Sequence, residues 1–186
     1  MTWVHSIQNY VPYNNQELKD KELILSAINN YNNLLTRENV IMHITSSGYI
    51  VNKKRDKVLM IYHKIYNSWA WTGGHADGDD DLLYVAIKEA KEETGLKNVT
   101  AVTPEIFSLD VLTVDGHIKR GEYVSSHLHL NVTYLLEADE KEALTVNEEE
   151  TKGVKWLPIN ELSKYCSEPY IIENVYNKLN KKINLL

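Results

Sequence analysis

GHADGDDDLLYVAIKEAKEETGL, residues Gly74 to Leu96, is the stretch on which the reading of this chain turns. Three acids, Asp79, Asp80 and Asp81, supply N-cap chemistry and favourable charge at the start of a helix running from Leu82 to Thr94, and Gly95 is its natural stop. Leu83, Ala86, Ile87 and Ala90 recur at offsets of three, four and seven, so the helix carries an apolar stripe that can dock on a sheet. Glu89, Glu92 and Glu93 recur at offsets of three and four and share another face. Like charges so placed cost roughly 0.2–0.5 kcal/mol per pair in an isolated helix. A counter-charge is therefore expected, and a hard divalent cation with oxygen ligands is the obvious one. Gly73 and Gly74 end the preceding extended segment, where the lack of side chains lets phosphate or metal approach the backbone.

The spacing is specific. Gly74, five residues, Asp80, seven residues, then Lys88-Glu89-Ala90-Lys91-Glu92-Glu93-Thr94-Gly95-Leu96 resembles the box of the Nudix family, G-x5-E-x7-R-E-U-x-E-E-x-G-U with U aliphatic. Two positions depart conservatively: Asp80 stands where the family usually has Glu, and Lys88 where it usually has Arg. Lys is a point charge without the planar fork of Arg, so Lys88 should orient neighbouring acids differently. The likeness extends to the strands before the box and to Asn147 through Leu162, where acids precede Trp156, Leu157 and Pro158.

The resemblance implies an α/β (α+β) fold, the Nudix α/β/α sandwich with a mixed sheet, and hydrolysis of a nucleoside diphosphate joined to another moiety. It implies one to three Mg²⁺ or Mn²⁺ ions held by Glu89, Glu92 and Glu93 with the carbonyl of Gly73. Glu89, Glu92 and Lys88 are the expected catalytic residues. The general base is drawn in this family either from the box or from a later loop, where Glu148, Glu149 and Glu150 are the candidates; that acidic run would equally suit a solvated loop.

Four further positions are candidates for the substrate beside Gly74. His75 follows the glycines directly. His127, His129 and Asn131 alternate with Leu128, Leu130 and Val132, so on a strand both histidines face one way, towards a cleft or as the polar side of a half-buried strand. Arg120, next to Lys119 in an expected loop, suits contact with a phosphate or, as charged loop tips usually do, simple solvation. Trp69 and Trp71 are suited to stacking on a base but more ordinary as core beside a β-rich run.

The rest of the chain bounds the class. Its 186 residues, 43% hydrophobic with twelve Tyr and four Trp, suit one folded domain with an appendage. Residues 1–37 read as an N-terminal helical extension and 38–186 as the hydrolase domain. The pattern Leu18, Leu23, Leu25, Ala27, Ile28, Leu35 predicts a helix from about Gln16 to Leu35, an amphipathic surface that a homodimer could use. Val40–Ile50 and Lys57–Lys64 read as a hairpin, Val99–Val114, Tyr123–Leu136 and Val154–Leu157 as strands, and Pro158–Tyr165 and Glu168–Leu186 as helices.

A net charge of −6 gives no basic field for long nucleic acid. The longest apolar run, near Val58–Tyr62, is too short for a membrane span, and the single Cys166 allows no internal disulfide, so a cytoplasmic protein is expected. A sensor that kept the shape without turnover would not need the three intact box glutamates. An isomerase on the same fold would need a cysteine in the cleft, and Cys166 lies far from the box in sequence.

Overall fold

The computed structural model describes residues 2–64, 67–119, 121–147 and 151–186. In chain order it contains helices α1 (Trp3–Asn9) and α2 (Asn15–Asn30), then strands β1 (Met42–Val51), β2 (Lys57–His63), β3 (Ser68–Ala70) and β4 (Thr72–His75). Helix α3 (Leu82–Thr94) is followed by β5 (Val99–Ala101), β6 (Ser108–Val114), β7 (His117–Lys119), β8 (Glu122–Val124), β9 (His127–Ala138) and β10 (Thr151–Pro158). The C-terminus is helical: a 3₁₀ turn Ile159–Lys164, then α4 (Pro169–Ile171), a π turn Ile172–Tyr176 and α5 (Asn177–Ile183). No helix among the described residues is long and apolar enough to cross a membrane.

One mixed sheet of eight strands organises the molecule, in the order β10-β2-β1-β9-β5, with β3 on β2, β4 on β1 and β6 on β9. β1 and β9 pair in parallel from Met42 opposite Leu128 to Val51 opposite Glu137, and the other pairings are antiparallel. β7 and β8 form a separate hairpin.

The sheet is buried on both faces, and the strand period of two decides which residue meets which layer. Even-numbered Ile44 and Ile50 share a core with Ala86 and Ala90 of α3 and with Ile24 and Ala27 of α2. Odd-numbered Tyr49 and Val51 share a second core with Val175, Tyr176 and Leu179 of the C-terminal helices. Helix, sheet, helix is the expected three-layer sandwich.

α3 starts and stops where the sequence indicates. Asp81 Oδ1 accepts from the Tyr84 N–H at 3.0 Å, and Gly95 closes the helix in the left-handed region with φ 74°. Some other elements are shorter than expected, whereas β10 extends beyond the expected Val154–Leu157 at both ends. The helix expected to reach Leu35 ends at Asn30, in an Asn-rich stretch whose side chains compete for backbone groups: the Asn30 amide donates to the Ser26 carbonyl. Leu34 nonetheless reaches the core as part of a loop, its carbonyl accepting from the Ile44 N–H at 2.7 Å. The strand expected from Val99 to Val114 breaks into β5 and β6 around Pro104, which has no N–H to give a ladder. α1 was not expected. Thr2 caps it and Ile7 is fully buried in the first core.

Candidate active site

β4 and α3 build the box. β4 lies antiparallel on β1, with Ser47 opposite Gly73 and Ser46 opposite Gly74. The Gly73 N–H donates to Glu93 Oε2 at 3.0 Å, and Glu93 is only 4% exposed. A Cβ at Gly74 would lie 2.5 Å from Cδ of Glu89, so the Glu89 carboxyl occupies the space the glycine leaves. A Cβ at Gly73 would meet Ser47 Oγ at 2.5 Å and the Ser46 carbonyl oxygen at 2.8 Å. Both glycines are therefore needed for close approach, one towards the carboxylates and one towards β1.

Glu89 is half-buried, whereas Lys88, Glu92 and Asp80 are exposed on the outer turns. Glu89 and Glu93 beside a glycine backbone offer the oxygen donors that a hard divalent cation takes, with Glu92 exposed at the rim.

β-strand alternation turns His75 to the opposite side of β4 from the space over Gly74, and there it joins a cluster of histidines. Its ring centroid lies 5.0 Å from that of His43 and 5.0 Å from that of His129. His127 is 4.9 Å from His43 and 5.0 Å from His129, so the two β9 histidines face one way as their spacing requires. The cluster lines a cavity of about 450 Å³ closed by Arg37, Lys119 and the β7–β8 hairpin. Burial, with neighbouring histidines, pushes the His75 imidazole down to about 4 and the His129 imidazole to about 2. Burial also lowers His43. All three are neutral near pH 7.

His43 was not among the residues singled out from the sequence. The odd-numbered run His43, Thr45, Ser47 was a usable signal, since it repeats the alternation of His127, His129, Asn131. The two runs pair in register, His43 opposite His129 and Thr45 opposite Asn131. Thr45 and Ser47 hydroxyls donate to Asn131 Oδ1 at 2.9 and 2.8 Å. This polar face continues to Asp110, whose carboxylate meets Lys178 Nζ at 2.5 Å, with Glu17 Oε1 3.3 Å from the same nitrogen.

Arg120 and Glu148, Glu149 and Glu150 lie outside the described residues. Trp71 packs edge-on against Tyr49 and Tyr176, and Trp69 edge-on against Tyr62, both within hydrophobic packing. Cys166 is buried, its thiol pushed up to about 12 by burial and by the nearby Glu168 charge, a poor nucleophile.

Residues 42–176 match the model of the NUDIX domain family. The chain is 28% identical over 142 residues to a probable DHNTP pyrophosphohydrolase of Lactococcus lactis, covering 75% of this chain and 80% of that protein. Among solved structures, a NUDIX-family hydrolase from Clostridium perfringens is 25% identical with a TM-score of 0.54, covering 77% of this chain and 97% of that one. The E. coli dihydroneopterin triphosphate pyrophosphohydrolase is 13% identical with a TM-score of 0.53, over 77% of this chain and 93% of that one, a likeness of fold.

Proposed function

The chain belongs to the NUDIX family, and on that premise we propose that it is a metal-dependent pyrophosphohydrolase cleaving the diphosphate linkage of a nucleoside diphosphate derivative. The observation that carries this is the arrangement of Glu89 and Glu93 around the side-chain-free edge at Gly73 and Gly74.

A diphosphate repels a nucleophile, so its charge must be offset, a water aligned and a proton accepted. Mg²⁺ or Mn²⁺, when bound, supplies the charge on the phosphate oxygens. Glu89, Glu93 and the Gly73 carbonyl would hold it, and the exposed Glu92 would share it or orient a water. Water adds to one phosphorus, the bridging P–O bond breaks, and a carboxylate takes the proton. That carboxylate is a box glutamate or one of Glu148, Glu149 and Glu150. Lys88 orients the box acids from the outer turn. Gly74 would leave room for a phosphate, His75, His127 and His129 would meet the rest of the substrate, and Arg120 is a further candidate.

Dihydroneopterin triphosphate, after which the E. coli relative is named, belongs at the head of a substrate panel that also holds nucleoside triphosphates, nucleotide sugars and dinucleotides. We place the enzyme in the cytoplasm, in keeping with its single buried cysteine. A homodimer built on α2 would use its outer side, where Leu18 and Leu23 are exposed, since Ile24 and Ala27 are spent on the chain's own core.

The test is a hydrolysis screen of this panel with Mg²⁺ or Mn²⁺, reading released phosphates. Turnover should vanish with excess chelator, and Glu93→Gln should lower kcat at least about a hundredfold in a folded protein. Full turnover in chelator, or an equally active Glu93→Gln enzyme, sinks the assignment. Tight binding without turnover of any panel member would favour a sensor.

A further inference from the structure

Six of the seven histidines in the chain line the cavity beside the box, His43, His63, His75, His117, His127 and His129. Three of them are arranged as a ligand set: one nitrogen each of His43, His75 and His129 lies within 4.8 Å of the others. We infer that these three imidazoles form a second metal site, for a single transition-metal ion of the Zn²⁺ class, on the other side of β4 from the carboxylate box.

His43 carries the argument furthest. Its side chain is almost wholly buried at 4% exposure. Its Nδ1 lies 3.1 Å from the Asn39 carbonyl oxygen, an acceptor only, so Nδ1 holds the proton and Nε2 a lone pair. That Nε2 is buried and has no hydrogen-bond partner among the described residues. A histidine with one nitrogen anchored to a backbone carbonyl and the other bare is the pattern of a metal ligand supported from behind.

The geometry is within reach of closure. Nitrogens about 2.1 Å from a tetrahedral ion stand roughly 3.4 Å apart, so the widest pair must close by about 1.4 Å at most. His75 and His129 are only partly buried and can turn about their side-chain bonds, while His43 stays fixed. His127 Nε2 lies 3.2 Å from His129 Nε2, a hydrogen bond that metal binding through that nitrogen would break, which leaves His127 beside the set as the candidate for the fourth position. His127 Nδ1 is anchored in the same way as that of His43, 2.9 Å from the Ser125 carbonyl oxygen.

Two cations line the cavity among the described residues, Arg37 and Lys119. Arg37 is neutralised by Asp77 through two hydrogen bonds of 2.8 Å. Imidazole nitrogens select borderline transition metals, whereas the all-oxygen box selects Mg²⁺ or Mn²⁺, so the two sites sort ions by ligand chemistry.

The full-length protein, stripped of metal and titrated with Zn²⁺ near pH 7.5 in excess Mg²⁺, should bind one equivalent in calorimetry. His129→Asn, at a partly exposed position that keeps a polar side chain, should weaken binding by more than about a hundredfold while its melting curve holds. His43→Ala should do the same, and because His43 is buried its circular dichroism must first match the parent. Glu93→Gln should leave Zn²⁺ affinity within about threefold. Co²⁺ in place of Zn²⁺ should give the intense visible bands of a four-coordinate nitrogen site, which an octahedral oxygen site lacks. Less than one equivalent bound, unchanged affinity in a folded His129→Asn, or loss of binding in Glu93→Gln would each overturn the inference. The Glu93→Gln arm separates it from the hydrolase reading, because hydrolysis can fail while Zn²⁺ binding survives.

Discussion

Replacing Lys178 with Met should cost the fold about 3–5 kcal/mol, more than an ordinary core substitution, because it would strand a buried carboxylate. Lys178 is 4% exposed, and Glu17 and Asp110 are fully buried. Its Nζ is 2.5 Å from Asp110 Oδ1 and 3.3 Å from Glu17 Oε1. Once it is gone, Glu17 keeps Lys182 at 3.2 Å and the Tyr10 hydroxyl at 2.5 Å. Asp110 keeps only neutral donors, Gln16 Nε2 at 3.0 Å and Ser108 Oγ at 2.8 Å. Hydrogen bonds without a cation do not offset a desolvated charge, so the loss falls mainly on Asp110.

For a chain of this size 1 kcal/mol moves Tm by about 2–4 °C, so the variant should melt roughly 6–20 °C below the parent. Urea unfolding followed by tryptophan fluorescence gives the free energy directly. Lys178→Met combined with Asp110→Leu should recover much of the loss, since the charge and its counter-charge then leave together. The cluster also joins α2 to β6 and α5, so the parent should unfold in one transition that includes the N-terminal helices. A single variant within about 1 kcal/mol of the parent, or a double variant as unstable as the two losses added, would refute the reasoning.

Gly74→Ala should lower turnover at least about tenfold with little change in Tm, because its Cβ meets only the movable end of Glu89, whereas Gly73→Ala meets the β1 backbone and should destabilise by about 1–3 kcal/mol. Kinetics and melts on the two variants would show the split, and equal effects on both properties would contradict it. Lys88→Arg should preserve or raise kcat and Lys88→Ala lower it, and a Lys88→Ala enzyme matching the parent across a pH range would remove Lys88 from the mechanism. Acid should destabilise the metal-free protein early. His75 at about 4 and His129 at about 2 stay neutral when folded, but regain their ordinary 6.5 when unfolded. The unfolded chain therefore binds more protons below pH 6.5, and each histidine costs up to about 1.4 kcal/mol per pH unit between there and its folded value. Urea midpoints in chelator at pH 7 and pH 5 would test this, and identical midpoints would mean that both rings protonate freely in the fold.

The box was legible because it is local. Helix period, cap, stop and acid spacing all sit within 23 residues, and α3 forms where they place it. Structure that depends on distant pairing was not legible in the same way. A seven-residue α1 gives too little period to recognise, and its burial depends on a core assembled from strands more than thirty residues later. The Asp110–Lys178 contact joins residues 68 apart in sequence, and each alone looks like an ordinary exposed charge.

The histidine cluster shows where local reading ends and register takes over. His43-Thr45-Ser47 and His127-His129-Asn131 each look like the polar side of a half-buried strand, and neither points to the other 86 residues away. Parallel pairing sets His43 opposite His129 and, six residues on, Tyr49 opposite Leu135. Both pairs lie on the odd-numbered face of β1, since side chains alternate with period two. A slip of one residue in β9 against β1 would bring even-numbered side chains beside Tyr49 and carry Leu135 out of the core that holds Tyr176. The apolar contacts at the C-terminal end of these strands thus fix the register, and by fixing it they hold the buried histidines together at the other end.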